Sequence, residues 1–339
     1  MWPAAASFPA AGGARALQAQ GVCGLCPRGC KENRQMKESI SKYAKIGLVL
    51  QVAYPEIGAG EGPVLERFES IVADPFFEAV EFSHIKDAEV RKQVKRLLEI
   101  SHMTWAFGGQ GLLLGPGLNL NDLDEEKRLQ AVAAVKAGID EALEMGAADC
   151  QFLSGHFEED KKEEALQQLV KSTRELCGYA KEKGNLPLCL EVFDYDVDKK
   201  SLIGPAPLAA RYAEEVCSTC DNFGLLVDLS HIPLLHETIE ESVVPVLPYI
   251  KHTHMGNGVV VPGREAYGDM HPHFGFPGSE NDVPQLKEFL RLLMKSGYMN
   301  ETNRPILSFE VKPWKDQPSF AVIANAKRTL QQAWAELEL

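Results

Sequence analysis

Four side chains that commonly bind divalent metal ions stand at the ends of four successive strand-like segments. They are Glu191 in LCLEVFD, Asp228 in LLVDLSH, His254 in KHTHMGN and Glu310 in LSFEVKP. Each closes a short apolar run and precedes a polar loop. Three carboxylates and one imidazole suit Mn²⁺, Mg²⁺ or Co²⁺ better than structural zinc, which favours thiolates. If the strands converge, the sequence predicts one divalent metal site, with Mn²⁺ as the preferred ion.

The segments around these residues indicate how they would converge. Short apolar runs begin at Ile46, Ala79, Thr104, Cys150, Leu186, Phe223, Tyr249 and Pro305. Most are apolar on both faces, as is typical of parallel strands covered by helices. Amphipathic patterns predict helices over residues 124–145, 163–182, 207–220, 283–296 and 320–337. This alternation over roughly 290 residues predicts a (β/α)8 TIM barrel, whose strand ends open on one face.

A doubly wound open sheet is the rival architecture. It would place a glycine-rich phosphate turn directly after the first strand. Here Gly58, Gly60 and Gly62 come too far beyond the first run for such a turn. A barrel also explains why polar groups recur at so many consecutive strand ends. We therefore predict a single barrel domain over residues 41–339.

Residues 1–40 differ in composition from the rest of the chain. The segment MWPAAASFPAAGGARALQAQ is rich in Ala, Gly and Pro, so it is predicted to be a disordered extension. An upstream start codon with Met36 as the alternative start would account for it, and a transit peptide is the other reading. Cys23, Cys26 and Cys30 could hold zinc or an iron–sulfur cluster, but such sites normally use four ligands, which favours an incidental grouping.

The overall charge and hydropathy narrow the range of partners. The formal net charge of −13 argues against a nucleic acid as the main partner, because such binders neutralise phosphates. No apolar run approaches the roughly 18 residues of a membrane span, so a soluble protein without a membrane partner is expected. The cysteines outside the N-terminal segment lie in apolar contexts typical of buried free thiols, which favours the reducing cytoplasm.

The ordered set of motifs at the strand ends resembles that of the xylose-isomerase-like TIM barrels. This superfamily includes sugar isomerases, ketose 3-epimerases and AP-endonuclease relatives. The resemblance covers about residues 45–335 and rests on Glu191, Asp228-Leu-Ser-His231, His254-Met-Gly-Asn257 and Glu310-Val-Lys312. It implies that Glu191, Asp228, His254 and Glu310 bind the metal. It further implies that the two glutamates handle protons on opposite faces of the substrate carbon, and that His231 contacts the substrate.

General chemistry agrees with a sugar isomerase or epimerase. A metal that bridges a sugar carbonyl and its neighbouring hydroxyl acidifies the intervening C–H bond and stabilises an enediolate. Glu191 could remove the proton from one face while Glu310 returns one from the other. Relatives often carry a second acid about six residues after the first glutamate, where this chain has Val197. The distal end of the substrate is therefore expected to be recognised differently.

A long polar segment between His254 and Glu310 offers further contacts. A loop of this length in a compact barrel is usually functional, although a structured surface excursion is the alternative. We predict that His271, His273 and Arg264 contact the substrate, and Asp269 offers another hydrogen bond.

Other strand ends supply the remaining candidates. His156 follows the fourth strand, where it is expected to reach the same mouth as a substrate contact or base, or to make a loop hydrogen bond. Trp105 lines the pocket or packs in the core, and the same two alternatives hold for Glu81 and His84. His252 is expected to point away from His254.

Three other functions compete with the isomerase. A lyase of the C-glycoside deglycosidase large-subunit type would use the same enolisation on an oxidised glycoside, with a small partner subunit and His156 as a candidate base. An AP-endonuclease-like hydrolase would need further histidines and carboxylates at strand ends to hold a zinc cluster. The third alternative, a non-catalytic sugar-binding barrel, is disfavoured by the retained ligand set. The expected partner is a small-molecule sugar or glycoside, and both a homo-oligomer and a hetero-oligomer with a small subunit are compatible with the sequence.

Overall fold

Eight parallel strands form the inner layer of the computed structural model, which describes Met36 and residues 38–339. The strands are β1 (Lys45–Leu48), β2 (Ala79–Phe82), β3 (Thr104–Gly108), β4 (Cys150–Leu153), β5 (Leu188–Glu191), β6 (Phe223–Asp228), β7 (Ile250–Gly256) and β8 (Ile306–Glu310). Their order is β1-β8-β7-β6-β5-β4-β3-β2. A parallel bridge between Val49 and Glu81 joins the ends of β1 and β2, so the sheet nearly closes on itself. The predicted TIM barrel is confirmed.

Helices follow the strands and cover the outside of the barrel. They are α1 (Leu50–Ala53), α2 (Val64–Val72), α3 (Ala88–Ser101), α4 (Gly111–Leu114), α5 (Glu125–Met145), α6 (Lys162–Lys183), α7 (Ala206–Cys217), α8 (Ile239–Val243), α9 (Val283–Lys295) and α10 (Ser319–Ala335). The five predicted helices correspond to α5, α6, α7, α9 and α10, each within three residues at either end. Short 3-10 helices occupy Ile40–Lys42, Pro55–Ile57, Glu159–Lys161, Pro233–Leu235 and Val244–Tyr249.

The boundaries of these elements have local causes. Helix α5 begins where the Asp124 side chain accepts hydrogen bonds from the backbone of Glu126 and Lys127, and it ends at Gly146, which has φ 75°. Strand β1 ends earlier than its apolar run. Beyond Leu48 the Val49 amide still donates to the Phe309 carbonyl of β8, and the chain then turns into α1. Strands β2, β4, β5 and β6 are buried along their whole length, which explains their apolar character on both faces.

The start of the described chain contacts its end. The Met36 amide donates to the Leu337 carbonyl, and the Trp334 indole donates to the Glu38 carbonyl. The predicted disordered extension otherwise falls on residues 1–35 and residue 37, outside the described residues, as do Cys23, Cys26 and Cys30. The domain boundary after residue 40 stays a prediction. Among the described residues, no helix is both long and apolar enough to cross a membrane.

Gly256 allows β7 and β8 to lie close together at the end that carries Glu310. It pairs with Glu310 across the two strands, and a Cβ atom at position 256 would lie 2.7 Å from the Glu310 carbonyl oxygen and 3.0 Å from Ser230 Cβ. We expect Gly256→Ala to lower the free energy of unfolding by about 1–3 kcal/mol, because the backbone of β8 must move. Urea unfolding of the purified variant measures this change.

Gly178→Ala is the matched control for that substitution. Gly178 lies inside α6, and a Cβ atom there would meet nothing within 4 Å. Alanine should raise the free energy of unfolding by about 0.5–1 kcal/mol, since glycine is a poor helix former. If both variants unfolded at the urea concentration of the wild type, the close approach at Gly256 would have no energetic consequence.

Candidate metal centre

The four predicted ligands lie together at the carboxyl end of the barrel. Glu191, Asp228, His254 and Glu310 come from β5, β6, β7 and β8, and one ligand atom of each lies within 4.8 Å of the others. His254 Nδ1 is 2.7 Å from Glu310 Oε2, 3.5 Å from Glu191 Oε1 and 3.7 Å from Asp228 Oδ2. Four neighbouring strands therefore present side chains at or near their carboxyl ends to one point, which is the face on which parallel barrel strands open together. We call this group the four-residue cluster.

The atoms that converge are the ones that lack hydrogen-bond partners. Glu191 Oε1, Asp228 Oδ2, His254 Nδ1 and Glu310 Oε2 are all buried without such a partner. A buried polar atom that makes no hydrogen bond costs about 1–3 kcal/mol, and native proteins rarely keep several together. A divalent cation among these atoms would satisfy all of them, so this donor set fits a metal ion.

In two of the predicted ligands, the other carboxylate oxygen accepts a hydrogen bond from the protein. Glu191 Oε2 accepts a hydrogen bond of 2.7 Å from the Gln110 side chain, which leaves Oε1 directed at the cluster. Asp228 Oδ1 accepts one of 2.6 Å from the Ser230 backbone, which leaves Oδ2 free in the same way. Sequence reasoning missed Gln110, although its place just after β3, in TWAFGGQ, is a strand-end signal like that of the ligands.

On the side away from the cluster, His254 contacts Glu81. Glu81 is fully buried, and its Oε2 lies 3.0 Å from His254 Nε2. The expectation that His252 points away from His254 is wrong. Residues two apart in a strand share a face, and the two imidazole rings lie 5.3 Å apart between centroids. His252 also contacts Glu81, with 2.8 Å between its Nε2 and Glu81 Oε1.

A second group of possible ligands adjoins the first. One ligand atom each from Asp228, His231 and His271 lies within 4.8 Å of the other two. Asp269 links the histidines, since its Oδ1 lies 3.0 Å from His231 Nε2 and 2.8 Å from His271 Nε2. Its Oδ2 is 2.7 Å from Lys199 Nζ. The structure thus places His231 and His271 beside the four-residue cluster, where substrate contacts were predicted.

Burial and neighbouring charges perturb the acids and imidazoles of both groups. Burial raises the pKa of Asp228, and the Glu310 carboxylate adds to this. Burial also opposes ionisation of Glu310, but the charges of His271 and His254 outweigh it and lower its pKa. For His271, burial acts against the cation, yet Asp269 and Glu310 raise the pKa to about 9. Such shifts mark a tightly coupled set of groups, as found at functional sites.

A cavity of about 360 Å³ opens onto the four-residue cluster. Glu191, His254, His271 and Glu310 line it, so four predicted site residues meet the same space. Residues that sequence reasoning did not assign also line it, including Gln110, Phe193, Lys199 and Lys312. The cavity therefore combines acids and imidazoles with amide and ammonium donors and one aromatic face, which together could hold a polar small molecule.

His156 does not reach this cavity, which corrects its expected position. It is exposed and lines a separate surface cavity with Asn119 and Asn121. The side chains of both asparagines donate to the His156 carbonyl, and its own Nδ1 lies 3.2 Å from the Lys200 carbonyl oxygen. These contacts hold the loop after β4 turned outward. Of the alternatives for His156, the structure supports the loop hydrogen bond.

Four other residues predicted to contact the substrate also lie away from the cavity lining. His231 is 1% exposed and lines a separate small cavity with Asp228. His273 directs its Nδ1 at the Phe274 carbonyl oxygen, 2.8 Å away. Arg264 is exposed, and its guanidinium lies against Gly278. Trp105 is 2% exposed and packs in the core against Phe107, so the packing alternative holds for it. The long loop therefore delivers Asp269 and His271 to the site, and not His273 or Arg264.

Several solved structures share the fold of this chain, and three of them are compared with it below. L-ribulose 3-epimerase aligns with TM-score 0.65 and 18% identity, over 86% of this chain and 95% of that one. The 3-keto-D-glucoside 4-epimerase from E. coli aligns with TM-score 0.63 and 15% identity, over 85% of this chain and 99% of that one. AP endonuclease, family 2, from Brucella melitensis aligns with TM-score 0.63 and 17% identity, over 84% of this chain and 99% of that one. Identities this low show the shared fold alone.

Sequence comparison supplies the family. No curated protein sequence matches this chain. Residues 68–327, however, match the model of the family described as Xylose isomerase-like TIM barrel. The match covers most of the chain and all strands from β2 to β8. It agrees with the barrel topology and with the resemblance of the strand-end motifs. The chain belongs to the xylose isomerase-like TIM barrel family.

Proposed function

We propose that this protein is a divalent-metal-dependent sugar isomerase or epimerase that moves a proton next to a carbonyl. The observation that carries the proposal is the convergence of two carboxylates on one metal-type donor set. Glu191 and Glu310 come from β5 and β8, which β6 and β7 separate in the sheet. Each glutamate directs one oxygen without a hydrogen-bond partner at the cluster. Two bases that approach from different strands can serve different faces of one substrate carbon.

The chain's residues have distinct tasks in this reaction. Mn²⁺, or Mg²⁺ or Co²⁺ in its place, would be held by the four-residue cluster and would polarise the substrate carbonyl. Glu191 accepts the proton as the C–H bond breaks, and the electron pair moves onto the carbonyl oxygen. Glu310 returns a proton to the other face of the carbon. General acid–base catalysis of this kind contributes about 10²–10⁴-fold.

Residues around the cluster support binding of a polyhydroxylated substrate. His231 and His271 lie beside the metal ligands, Lys199 and Lys312 line the cavity, and Phe193 offers an aromatic face. Two of the structural neighbours are epimerases of sugars, one of a ketose and one of a 3-keto-glucoside. Their names support a sugar as the substrate class for this chain.

The lyase and the hydrolase are supported less well. The lyase alternative loses the base assigned to it, because His156 lines a separate cavity. One observation favours an AP-endonuclease-like hydrolase, namely the second possible ligand group of Asp228, His231 and His271. The net charge of −13 opposes binding to a nucleic-acid backbone. We therefore place the hydrolase second.

Metal analysis combined with solvent-deuterium exchange tests the proposal. We expect the purified wild type to hold a divalent metal and to exchange deuterium into a ketose or keto-glycoside while the epimer or isomer forms. Glu310→Gln should hold less metal and form the epimer about 10²–10⁴-fold more slowly. Exchange with aglycone loss would point to the lyase, and nicking of abasic DNA to the hydrolase. If the wild type held no divalent metal and catalysed no deuterium exchange, the proposed function would be refuted.

The remaining partner and compartment assignments are also proposals. We infer a small-molecule sugar or glycoside as the only substrate class, with no nucleic acid or membrane partner, and a homo-oligomer or a hetero-oligomer with a small subunit as the assembly. The cytoplasm is the compartment that we propose, supported by Cys150, Cys177 and Cys189, which are buried as free thiols. Light scattering after size-exclusion chromatography measures the assembly.

A further inference from the structure

We propose that Glu81 is a positioning residue that orients His254 for metal binding, and that a buried hydrogen-bond network holds Glu81 in place. This inference rests on the metal site of the proposed function and adds residues that do not themselves belong to the four-residue cluster. Glu81 lies in β2 and His254 in β7, and β1 and β8 lie between these two strands around the nearly closed barrel. Their side chains meet in the barrel interior, where both are buried.

The two ring nitrogen atoms of His254 face different groups. Nε2 lies 3.0 Å from Glu81 Oε2, and Nδ1 faces Glu191, Asp228 and Glu310. A carboxylate only accepts hydrogen bonds, so it selects the form of the imidazole that carries its proton on Nε2. The lone pair on Nδ1 is then available to a metal ion. A carboxylate that contacts the far nitrogen of a metal-binding histidine sets both its tautomer and its ring orientation.

Glu81 can do this only if its own carboxylate is fixed, and besides His254 two side chains contact it. His252 Nε2 lies 2.8 Å from Glu81 Oε1, and Gln151 donates a hydrogen bond of 2.7 Å to Oε2. Asp149 Oδ2 lies 2.9 Å from His252 Nδ1 and so holds that ring in turn. Both oxygen atoms of Glu81 therefore have defined partners, which fix the plane of its carboxylate.

The same network also reaches the ligand Glu191. The Gln110 side-chain nitrogen lies 3.2 Å from Gln151 Oε1 and donates to Glu191 Oε2 at 2.7 Å. Gln151 thus contacts Glu81 with its amide nitrogen and Gln110 with its amide oxygen. One chain of contacts therefore supports two ligands of the four-residue cluster from behind. An apolar core at these positions would fill the barrel equally well but would leave both ligands free to rotate.

The decisive measurement is the dissociation constant for Mn²⁺ of the full-length protein after its metal has been removed. Glu81→Gln keeps the size of the side chain but replaces one accepting oxygen by a donating amide. That amide would face either the nitrogen of His252 or the nitrogens of Gln151 and His254, so the set of contacts that orients His254 is not kept intact. We expect Mn²⁺ to bind about 10–100-fold more weakly, the usual consequence of losing such a contact. Titration calorimetry, or electron paramagnetic resonance of free Mn²⁺, measures the constant without any substrate.

Thr173→Val is the matched control, because it also removes a buried hydrogen bond. Thr173 is fully buried in α6, and its hydroxyl lies 2.6 Å from the Tyr212 hydroxyl, outside the cavity lining. This variant should lose stability but keep the wild-type constant for Mn²⁺. A purely structural role for Glu81 predicts that Glu81→Gln behaves like Thr173→Val, with lower stability and an unchanged constant for Mn²⁺.

The outcomes distinguish a failure of the inference about Glu81 from a failure of the proposed function. If the wild type binds Mn²⁺ and Glu81→Gln binds it within about twofold of the same constant, Glu81 is not a positioning residue. If the wild type binds no divalent metal, the proposed function fails and the inference fails with it. Should Glu81→Gln not fold, His252→Gln removes one support of Glu81. We expect it to weaken binding by about threefold to tenfold, and unchanged binding would overturn the inference.

Discussion

Glu191→Gln and Glu310→Gln are each expected to lower turnover by about 10²–10⁴-fold, because each removes one of the two groups that carry the proton. The two variants should fail in complementary ways. If each glutamate serves one face of the carbon, Glu310→Gln still lets Glu191 remove and return a proton on its own face. That variant should exchange solvent deuterium into one epimer only, and Glu191→Gln should exchange into the other.

The measurement is deuterium incorporation into each pure epimer, followed by mass spectrometry at saturating Mn²⁺. Metal content is determined in parallel, since both glutamates are also expected to be ligands. Glu182→Gln, an exposed position on α6, is the control for the change of charge and should match the wild type. Full exchange into both epimers by either variant would contradict the assignment of two bases. Loss of metal alone would appear as recovery of turnover when the Mn²⁺ concentration is raised.

Asp228→Asn is expected to have opposite effects on the metal-free and metal-bound protein. Asp228 is a buried acid in a cluster with two other carboxylates, and its Oδ2 makes no hydrogen bond. Asparagine can still accept from the Ser230 backbone, and it removes one of the buried negative charges. The metal-free variant should therefore be more stable than wild type by about 1–3 kcal/mol.

The same substitution should remove the stabilisation that metal provides. A ligand at about 100 times its dissociation constant stabilises the native state by about 2.7 kcal/mol, which raises Tm by roughly 5 °C in a protein of this size. Wild type should show that rise on addition of Mn²⁺, and Asp228→Asn should show almost none. Thermal unfolding with Mn²⁺ and with a chelator measures both effects. Asp221 is an exposed acid paired with Lys181. In Asp221→Asn, the stability of the metal-free protein and its stabilisation by Mn²⁺ should each stay within about 0.5 kcal/mol of wild type. An equal rise in Asp228→Asn would contradict a ligand role.

Much of the architecture could be predicted because its signals are local. Each strand is a short run that is apolar on both faces, and each helix repeats apolar residues at its own period, so eight strands and the later helices were visible without any contact. Parallel strands in a barrel open their carboxyl ends on one face. For that reason Glu191, Asp228, His254 and Glu310 could be expected to meet before their distances were known.

Positions that depend on loop paths were predicted less well. The long loop is tied down by Asn281, whose side chain donates to the Leu229 and Gly256 carbonyl oxygens, and by Asn257, whose side chain donates to the His273 carbonyl oxygen. These contacts turn His273 away and bring His271 in. No local spacing reveals them, because the partners lie on other strands and turns. His156 was misplaced for the same reason.

The amino-acid sequence by itself determined the barrel, its strand ends and the four ligand-type residues on them, since period and strand direction are properties of short segments. The tertiary structure alone decided what stands behind those ligands. Glu81 and His254 are 173 positions apart, and in isolation Glu81 is an acid within an apolar strand. They contact each other only because the sheet closes and brings β2 and β7 to a common interior, where a buried charge must find its partners across the barrel.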